Sequence, residues 1–293
     1  MAPVVPFLSF FLLAGGGDCA PDAIRALAHL SGGGGEYARL VSDSTRLPPL
    51  VSLLSHANGR PVFNSLSVLT NLASISDDQC RGVLDKCVVE GNIIKLLKHE
   101  EGMIREQVCR LLVVAAGGTV DRISTLVSMT TEMKTVVAMA KSDSRWDARK
   151  EAVLVLSNVA MRGNDDHVKA LVVMEGVSSL CSALTWDNDD GMVLVSLRAI
   201  SRVLDVGLQS GHEANFTQKI YETDGQSDIR SLTKHHNDEI RKLSLHIVNF
   251  RLSFTADRPL GEAANIGRQM TSSSSVDAKG FLSFDWMRIQ KEL

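Results

Sequence analysis

Aromatic residues are scarce in this chain, 5% of 293 residues, and only three are tryptophan. Apolar residues still make up 44% of the chain, with Leu, Val and Ala in the lead. That balance suits helices packed on helices and argues against an aromatic-rich β-sandwich. Cysteines number five, lie far apart (Cys19, Cys80, Cys87, Cys109 and Cys181) and show no CxxC spacing. An odd, scattered set excludes a disulfide framework or zinc module and leaves reduced, mostly buried thiols of a cytoplasmic or nuclear protein as the expectation. A net charge of −3 with mixed signs gives no reason to expect a nucleic-acid partner. The most apolar stretch, Val4 to Ala14, falls short of the roughly 20 residues a bilayer span needs. It also has no basic flank of the kind a secretory signal carries, so no membrane role is expected. Neither GxGxxG, a P-loop, HExxH nor GxSxG occurs, so the chain reads as no enzyme, with no catalytic residue and no cofactor. His235 and His236 are adjacent and would point in different directions on a helix, a poor metal pair.

What the chain does have is a period. A helix ending in paired aliphatics recurs as VVPFLSFFLLAGGG, LPPLVSLLSHANG, NIIKLLKHEEG, MKTVVAMAKSDS, VSSLCSALTWDND and SDIRSLTKHHND. Leu13, Leu54, Leu97, Ala140, Leu184 and Leu232 are equivalent, separated by 41, 43, 43, 44 and 48 residues, the last interval carrying an insertion. A second helix follows each, as in VFNSLSVLTNLAS and RKEAVLVLSNVAMRG, with one buried face set by Leu66, Leu69 and Ala73 or by Val153, Leu156 and Ala160. Between units lies a shorter stretch (EYARLVSD, DDQCRGVLDKCVVEG, DRISTLVSM, DDHVKALVVMEG) that predicts a short third helix. Asp77, Asp78, Asp165 and Asp166 read as caps and dipole partners of these helices. Gly32 to Gly35, Gly117, Gly118, Gly163 and Gly207 are expected at helix ends, where a turn needs positive φ.

Three helices in 40 to 47 residues is the armadillo signature, whereas HEAT units have two. The expected fold is all-α, an armadillo-type right-handed α-solenoid of about five to six repeats that starts mid-repeat. It covers residues 1–250, and 251–293 form a low-complexity, disordered tail with Phe281, Phe284 and Trp286 as a possible docking cluster. Two positions four apart on each second helix should face the inner surface: Arg25 and His29, Ser67 and Asn71, Arg110 and Val114, Leu154 and Asn158, Arg198 and Arg202. Trp146 and Trp186 fall in turns, off this column, and are read as packing residues.

At this point the chain resembles the importin-α family over nearly all of Val4 to Phe250. FNSLSVLTNLAS and RKEAVLVLSNVA resemble that family's EAxWxxxN helix, AIRALAHL its ALRAIGNI, and IYETDGQSDIRSLTKHHNDEIRKLSLHIVNF its terminal repeat. The resemblance implies an adaptor that binds nuclear-localisation signals for protein import, moving between cytoplasm and nucleus, with importin-β or an export factor as further partners. It implies that Asn71 and Asn158 hold an extended peptide by its backbone, as an amide can donate and accept at once. Glu151 matches an acidic position that takes a lysine. Ser67 and Leu154 complete the peptide-binding set.

The departures are as informative. Ser67, Arg110, Leu154, Arg25 and Arg198 stand where the motif has tryptophan shelves, and His29, Val114 and Arg202 replace asparagine rungs. Arg25, Arg110, Arg198 and Arg202 would make a basic concave column that repels a Lys/Arg-rich signal. Relative to the family, the start lacks a basic importin-β-binding segment and the first repeats, as in an N-terminally truncated relative. The alternative reading is therefore an armadillo scaffold that takes an acidic segment or assembles a complex, without import activity.

Overall fold

The computed structural model describes residues 4–13, 19–89, 92–186 and 189–252. Among them all regular structure is helical. The helices are α1 (Val4–Leu13), α2 (Ala20–Ser31), α3 (Gly35–Ser44), α4 (Leu47–Ser52), α5 (Gly59–Ala73), α6 (Asp77–Val89), α7 (Asn92–Leu97), α8 (Gly102–Ala116) and α9 (Val120–Ser128). They continue with α10 (Thr130–Ser142), α11 (Trp146–Arg162), α12 (Asp165–Val173), α13 (Gly176–Ser182), α14 (Asp190–Gln209), α15 (Glu213–Tyr221), α16 (Gly225–Leu232) and α17 (Asp238–Ile247). α1 and α2 form a two-helix unit, and α3 to α17 divide into consecutive three-helix units. The chain is an all-α solenoid.

The stacking follows from the sequence period. The last helix of each unit, which is the second helix of the sequence period and is called the third helix from here on (α2, α5, α8, α11, α14 and α17), touches the corresponding helix of the next unit in an unbroken row. The residues that mediate the row are the predicted ones: Leu66, Leu69, Ala73, Val153, Leu156 and Ala160 are all at most 1% exposed. Removing a leucine of this kind from water is worth about 2–3 kcal/mol. No single unit closes a core alone, so the whole array shares one. Leu54, Leu97, Ala140, Leu184 and Leu232 are buried at the ends of the middle helices; the side chain of Leu13 lies outside the described set. Polar ties reinforce the stacking: the Ser179 hydroxyl donates to the Val137 carbonyl (2.8 Å), and Ser124 meets the His167 ring (2.9 Å).

Helix ends are set by side chains the sequence made visible and some it did not. Asn58, Asn164, Asp189 and Asn237 accept backbone N–H groups at the starts of α5, α12, α14 and α17. Asp77, Asp78, Asp165 and Asp166 lie inside the first turns of α6 and α12 as dipole partners, not as caps. α1, the apolar segment that imitates a signal core, packs with α2, α3 and α4, with Val5 1% exposed and Ser9 bonded to Thr45 (2.6 Å). No described helix is long and apolar enough to cross a membrane. Cys80, Cys87, Cys109 and Cys181 are buried and Cys19 is exposed.

Three sequence expectations change. The connecting stretch is short, as expected, at α9 and α12 (nine residues each), but α6 has 13, and in the neighbouring units the middle helices α4 and α7 are shorter still at six. A 3-10 turn, Leu53–Ser55 or Ala183–Thr185, prolongs α4 and α13. The insertion before the last unit is taken up largely by α14, which runs to 20 residues against 17 in α11, and α15 follows it as a helix the sequence pattern did not single out. Gly32, Gly117 and Gly163 do end helices as expected, but with φ of −76°, −78° and −72°; among the glycines named only Gly34 has a positive φ (120°). Gly207 is not at a helix end at all, but inside α14 and buried. The tail 253–293, with Phe281, Phe284 and Trp286, lies outside the described residues.

Gly207 is there for close approach: a Cβ on it would sit 2.9 Å from the Cβ of Phe216 in α15. Gly207→Ala is expected to destabilise the protein by about 1–2 kcal/mol, overpacking outweighing the gain in helix propensity. Gly191→Ala, which meets only Asp189 Oδ1 at 3.5 Å in the same helix, is the neutral control. Urea midpoints of the two variants check this, and equal midpoints would mean that α14 and α15 are not tightly apposed.

Candidate peptide-binding surface

The column of positions from the third helices can now be followed residue by residue. Ser67, Asn71, Arg110, Val114, Leu154, Asn158, Arg198 and Arg202 are all half-buried, and Arg25 and His29 are exposed. The sequence placed these side chains at similar depth along the row, but not what they touch.

Both asparagines reach back to the preceding unit. Asn71 Nδ2 donates to Ser31 Oγ (2.9 Å) at the end of α2, and Asn158 Nδ2 points at the Val113 carbonyl (3.5 Å) near the end of α8. The two sites are equivalent, since the same amide nitrogens lie 3.7 and 3.9 Å from where a Cβ would be on the cap glycines Gly32 and Gly117. An amide supplied from one unit thus reaches the carboxyl end of the corresponding helix of the previous unit, at the Ser31 hydroxyl in one case and in the other at the Val113 carbonyl, which also accepts the Gly117 N–H (2.8 Å). Each amide has a second N–H and a carbonyl oxygen for a further partner. Ser67 donates to the Phe63 carbonyl of its own helix (2.9 Å), and Leu154 packs against the core.

The arginines do not form the unopposed basic column that sequence suggested. Arg25 pairs with Asp22 (3.0 Å), Arg202 with Asp165 at the start of α12 (2.7 Å) and Arg198 with Glu239 of α17. Arg110 bonds Glu106 Oε1 (2.8 Å) one turn back and Glu151 Oε1 (2.9 Å) on α11. Each positive charge is matched by a carboxylate that sequence reasoning did not assign to it. Glu106 and Arg110, four apart on one helix, were the legible part of this pattern; the pairs between units needed the stacking register.

The densest part of the surface joins α8 to α11. Arg105 forms a two-pronged fork with Asp143, 2.7 Å on each arm, and its third nitrogen donates to the His99 and Glu100 carbonyls. Asp143 also accepts the Arg145 backbone N–H (2.8 Å). Arg145 reaches Glu106 Oε2 (2.6 Å), so Glu106 holds one arginine on each oxygen. Burial alone would raise the Asp143 carboxyl, but the Arg105 and Arg145 hydrogen bonds and the nearby positive charges bring it below the ordinary value. Glu151 goes the other way, raised chiefly by burial despite Arg110. Its Oε2 is buried with no partner.

Of two further groups, the tryptophans follow their sequence reading and the histidines depart from it. Trp146 opens α11 and Trp186 ends the turn after α13; their rings lie 4.4 Å apart, and the Arg149 guanidinium sits 4.9 Å over Trp146, so both pack off the column as expected. His235 and His236, however, converge. They occupy the turn between α16 and α17, where successive residues do not rotate as on a helix, and their Nε2 atoms stand 3.7 and 3.1 Å from the two oxygens of Asp190. Ligand atoms of the three lie within 4.8 Å of one another. His235 Nδ1 accepts the Asn237 N–H (3.1 Å), which puts the proton of a neutral ring on Nε2 and leaves no lone pair there for a metal.

The Arg105–Asp143 fork is expected to hold α8 to the turn before α11. Asp143→Ala should cost about 3–5 kcal/mol by leaving a buried guanidinium unpaired, and Arg105→Lys should restore little because an ammonium cannot fork. Because the folded-state Asp143 carboxyl is depressed, this contribution is present above about pH 4, the ordinary carboxylate range, and is lost as pH falls below it. Chemical denaturation should show a larger Asp143→Asn deficit at pH 7 than at pH 3.

No protein-family model matches the chain. It is 22% identical to importin subunit alpha-8 of Arabidopsis thaliana over 249 residues, 84% of this chain and 56% of that protein. To importin subunit alpha-1b of Oryza sativa subsp. japonica it is 26% identical over 224 residues, 75% of this chain and 41% of that protein. The chain spans about half the length of the curated relatives it matches. Among solved structures, computationally designed armadillo repeat proteins for modular peptide recognition superpose with a TM-score of 0.72 at 21% identity, over 83% of this chain and 98% of theirs. A designed armadillo repeat protein in complex with the peptide (KR)4 gives 0.68 at 21%, over 83% and 98%. The fold is the armadillo solenoid, and the homology to plant importin-α subunits is weak but consistent.

Proposed function

We propose that this armadillo solenoid is a protein-binding adaptor that holds an extended, basic peptide segment along its third helices, as in nuclear import of proteins carrying localisation signals. The observation that carries the reading is the equivalent placement of Asn71 and Asn158. Each is tied by one N–H to the preceding unit and therefore held in orientation, with donor and acceptor capacity left to pair with a peptide backbone. Glu106 and Glu151 supply negative charge on the same surface, and Ser67 and Leu154 flank the rungs. Homology to importin-α supports this reading, and the proposal extends to residence in cytoplasm and nucleus, with importin-β or an export factor as further partners.

The competing reading, a scaffold whose arginine column receives an acidic segment, loses its main support. Arg25, Arg110, Arg198 and Arg202 all have carboxylates within ion-pair distance, so an acidic partner would have to displace an internal one at each position.

Fluorescence anisotropy of labelled basic signal peptides and length-matched acidic peptides separates the two. Saturable binding of the basic peptide is expected, weakened about fivefold by Asn158→Ala through loss of roughly one hydrogen bond. Preference for the acidic peptide, abolished by changing Arg110 and Arg198, would reverse the assignment.

A further inference from the structure

The buried carboxylates of the inner surface raise a more specific possibility, which rests on the basic-peptide reading above. Glu106 and Glu151 belong to neighbouring third helices and are 6% and 8% exposed. Arg110 and Arg145, with side chains 33% and 38% exposed, are the outer members of the cluster. The carboxylates thus line the floor and two guanidiniums cover it.

The two arginines cover it differently. Arg145 engages Glu106 alone within the pair, bonding Oε2, and is further tied to Asp147 (3.1 Å). Arg110 divides itself, giving Nη2 to Glu106 and Nε to Glu151. It forms a fork with neither, in contrast to Arg105, which meets both oxygens of Asp143. Glu151 consequently uses one oxygen, and Oε2 is left buried and unpartnered although a carboxylate can accept several bonds. Lys150, next in sequence, is engaged by Asp189 (2.8 Å) and does not supply the missing donor.

We infer that Arg110 is the built-in occupant of a cation subsite formed by Glu106 and Glu151, and that an arginine or lysine of a bound peptide takes its place. A peptide guanidinium entering there can meet both oxygens of Glu151, a better geometry than the single bond Arg110 makes. The floor keeps its structure during the exchange because Arg145 stays on Glu106. With Arg110 in place the four groups are neutral; with it withdrawn they carry one net negative charge, which the peptide cation restores. Arg110 therefore sets the specificity and the threshold of the site: only a segment whose cation competes with an internal arginine is held.

The experiment uses the full chain and a labelled peptide of alternating lysine and arginine, with a glutamine-substituted neutral peptide of equal length as control. Arg110→Ala and Arg110→Met are both measured, the second keeping the apolar stem in case the first lowers helicity by circular dichroism. Either is expected to bind the basic peptide about tenfold more tightly than the unaltered protein, with no change for the neutral one. Adding Glu151→Gln to the Arg110 variant should abolish the gain. Unchanged or weaker binding by folded Arg110 variants, or a loss of fold in both, would make Arg110 a structural residue and end the subsite idea. If the unaltered protein still binds the basic peptide and Asn158→Ala weakens it, that result leaves the adaptor reading standing. If no variant binds the basic peptide at all, both inferences fall together.

Discussion

The contact between successive third helices is the constraint from which the remaining features follow. Each of these helices is apolar on the sides that meet its neighbours, with Leu69, Leu112, Val155, Leu156 and Ile200 fully enclosed. A helix so patterned must be flanked on both sides to be stable, which forces the units into a row. Once the row exists, the remaining strip of each helix is neither core nor open solvent. That strip holds Ser67, Asn71, Arg110, Leu154, Asn158 and Arg198. Polar groups placed there are half-desolvated, so they need partners, and the nearest partners belong to the adjacent unit.

This explains why the surface is so thoroughly cross-connected. The asparagine amides reach the carboxyl ends of the corresponding helices in the preceding units, the Arg105–Asp143 fork closes on the turn before α11, and Arg198 reaches α17. The same strip is asked to stabilise the stack and to present groups to a peptide. Asn71 and Asn158 can do both because an amide has more hydrogen-bonding capacity than one contact consumes. A guanidinium that divides itself between two carboxylates, as Arg110 does, serves the stack at the expense of open acidic positions.

Much of the architecture was readable from the period of the sequence, because burial leaves a 3.6-residue rhythm that survives divergence. The interval from Leu54 to Leu184 keeps within a residue or so of the repeat, and the structure puts each of these positions at the end of a middle helix. Local end effects were less legible. Gly207 looked like a terminator because glycine commonly ends helices, but here it answers to the proximity of Phe216, a contact 9 residues along the chain whose closeness depends on how α15 folds back. The charge pairs were the least legible. Arg110 and Glu151 are 41 residues apart, and nothing in either residue's neighbourhood announces the other. Only the stacking register brings them to 2.9 Å. The histidine pair failed for a related reason, since adjacency implies divergence on a helix and not in the turn that His235 and His236 occupy.

The depth of the ion pairs differs widely from one to the next. At one end Arg25 and Asp22 have side chains 54% and 75% exposed, and toward the other Arg198 and Glu239 are 30% and 57% exposed; in the middle Arg105 and Asp143 are 13% and 4% exposed. Dissolved ions screen exposed charges over about 8 Å at physiological ionic strength but penetrate little to covered ones. Rising salt therefore weakens the exposed pairs first and leaves the Arg105–Asp143 fork nearly untouched. That fork is in this respect a salt-resistant clasp between α8 and the turn before α11, set apart from the pairs that dissolved ions can reach.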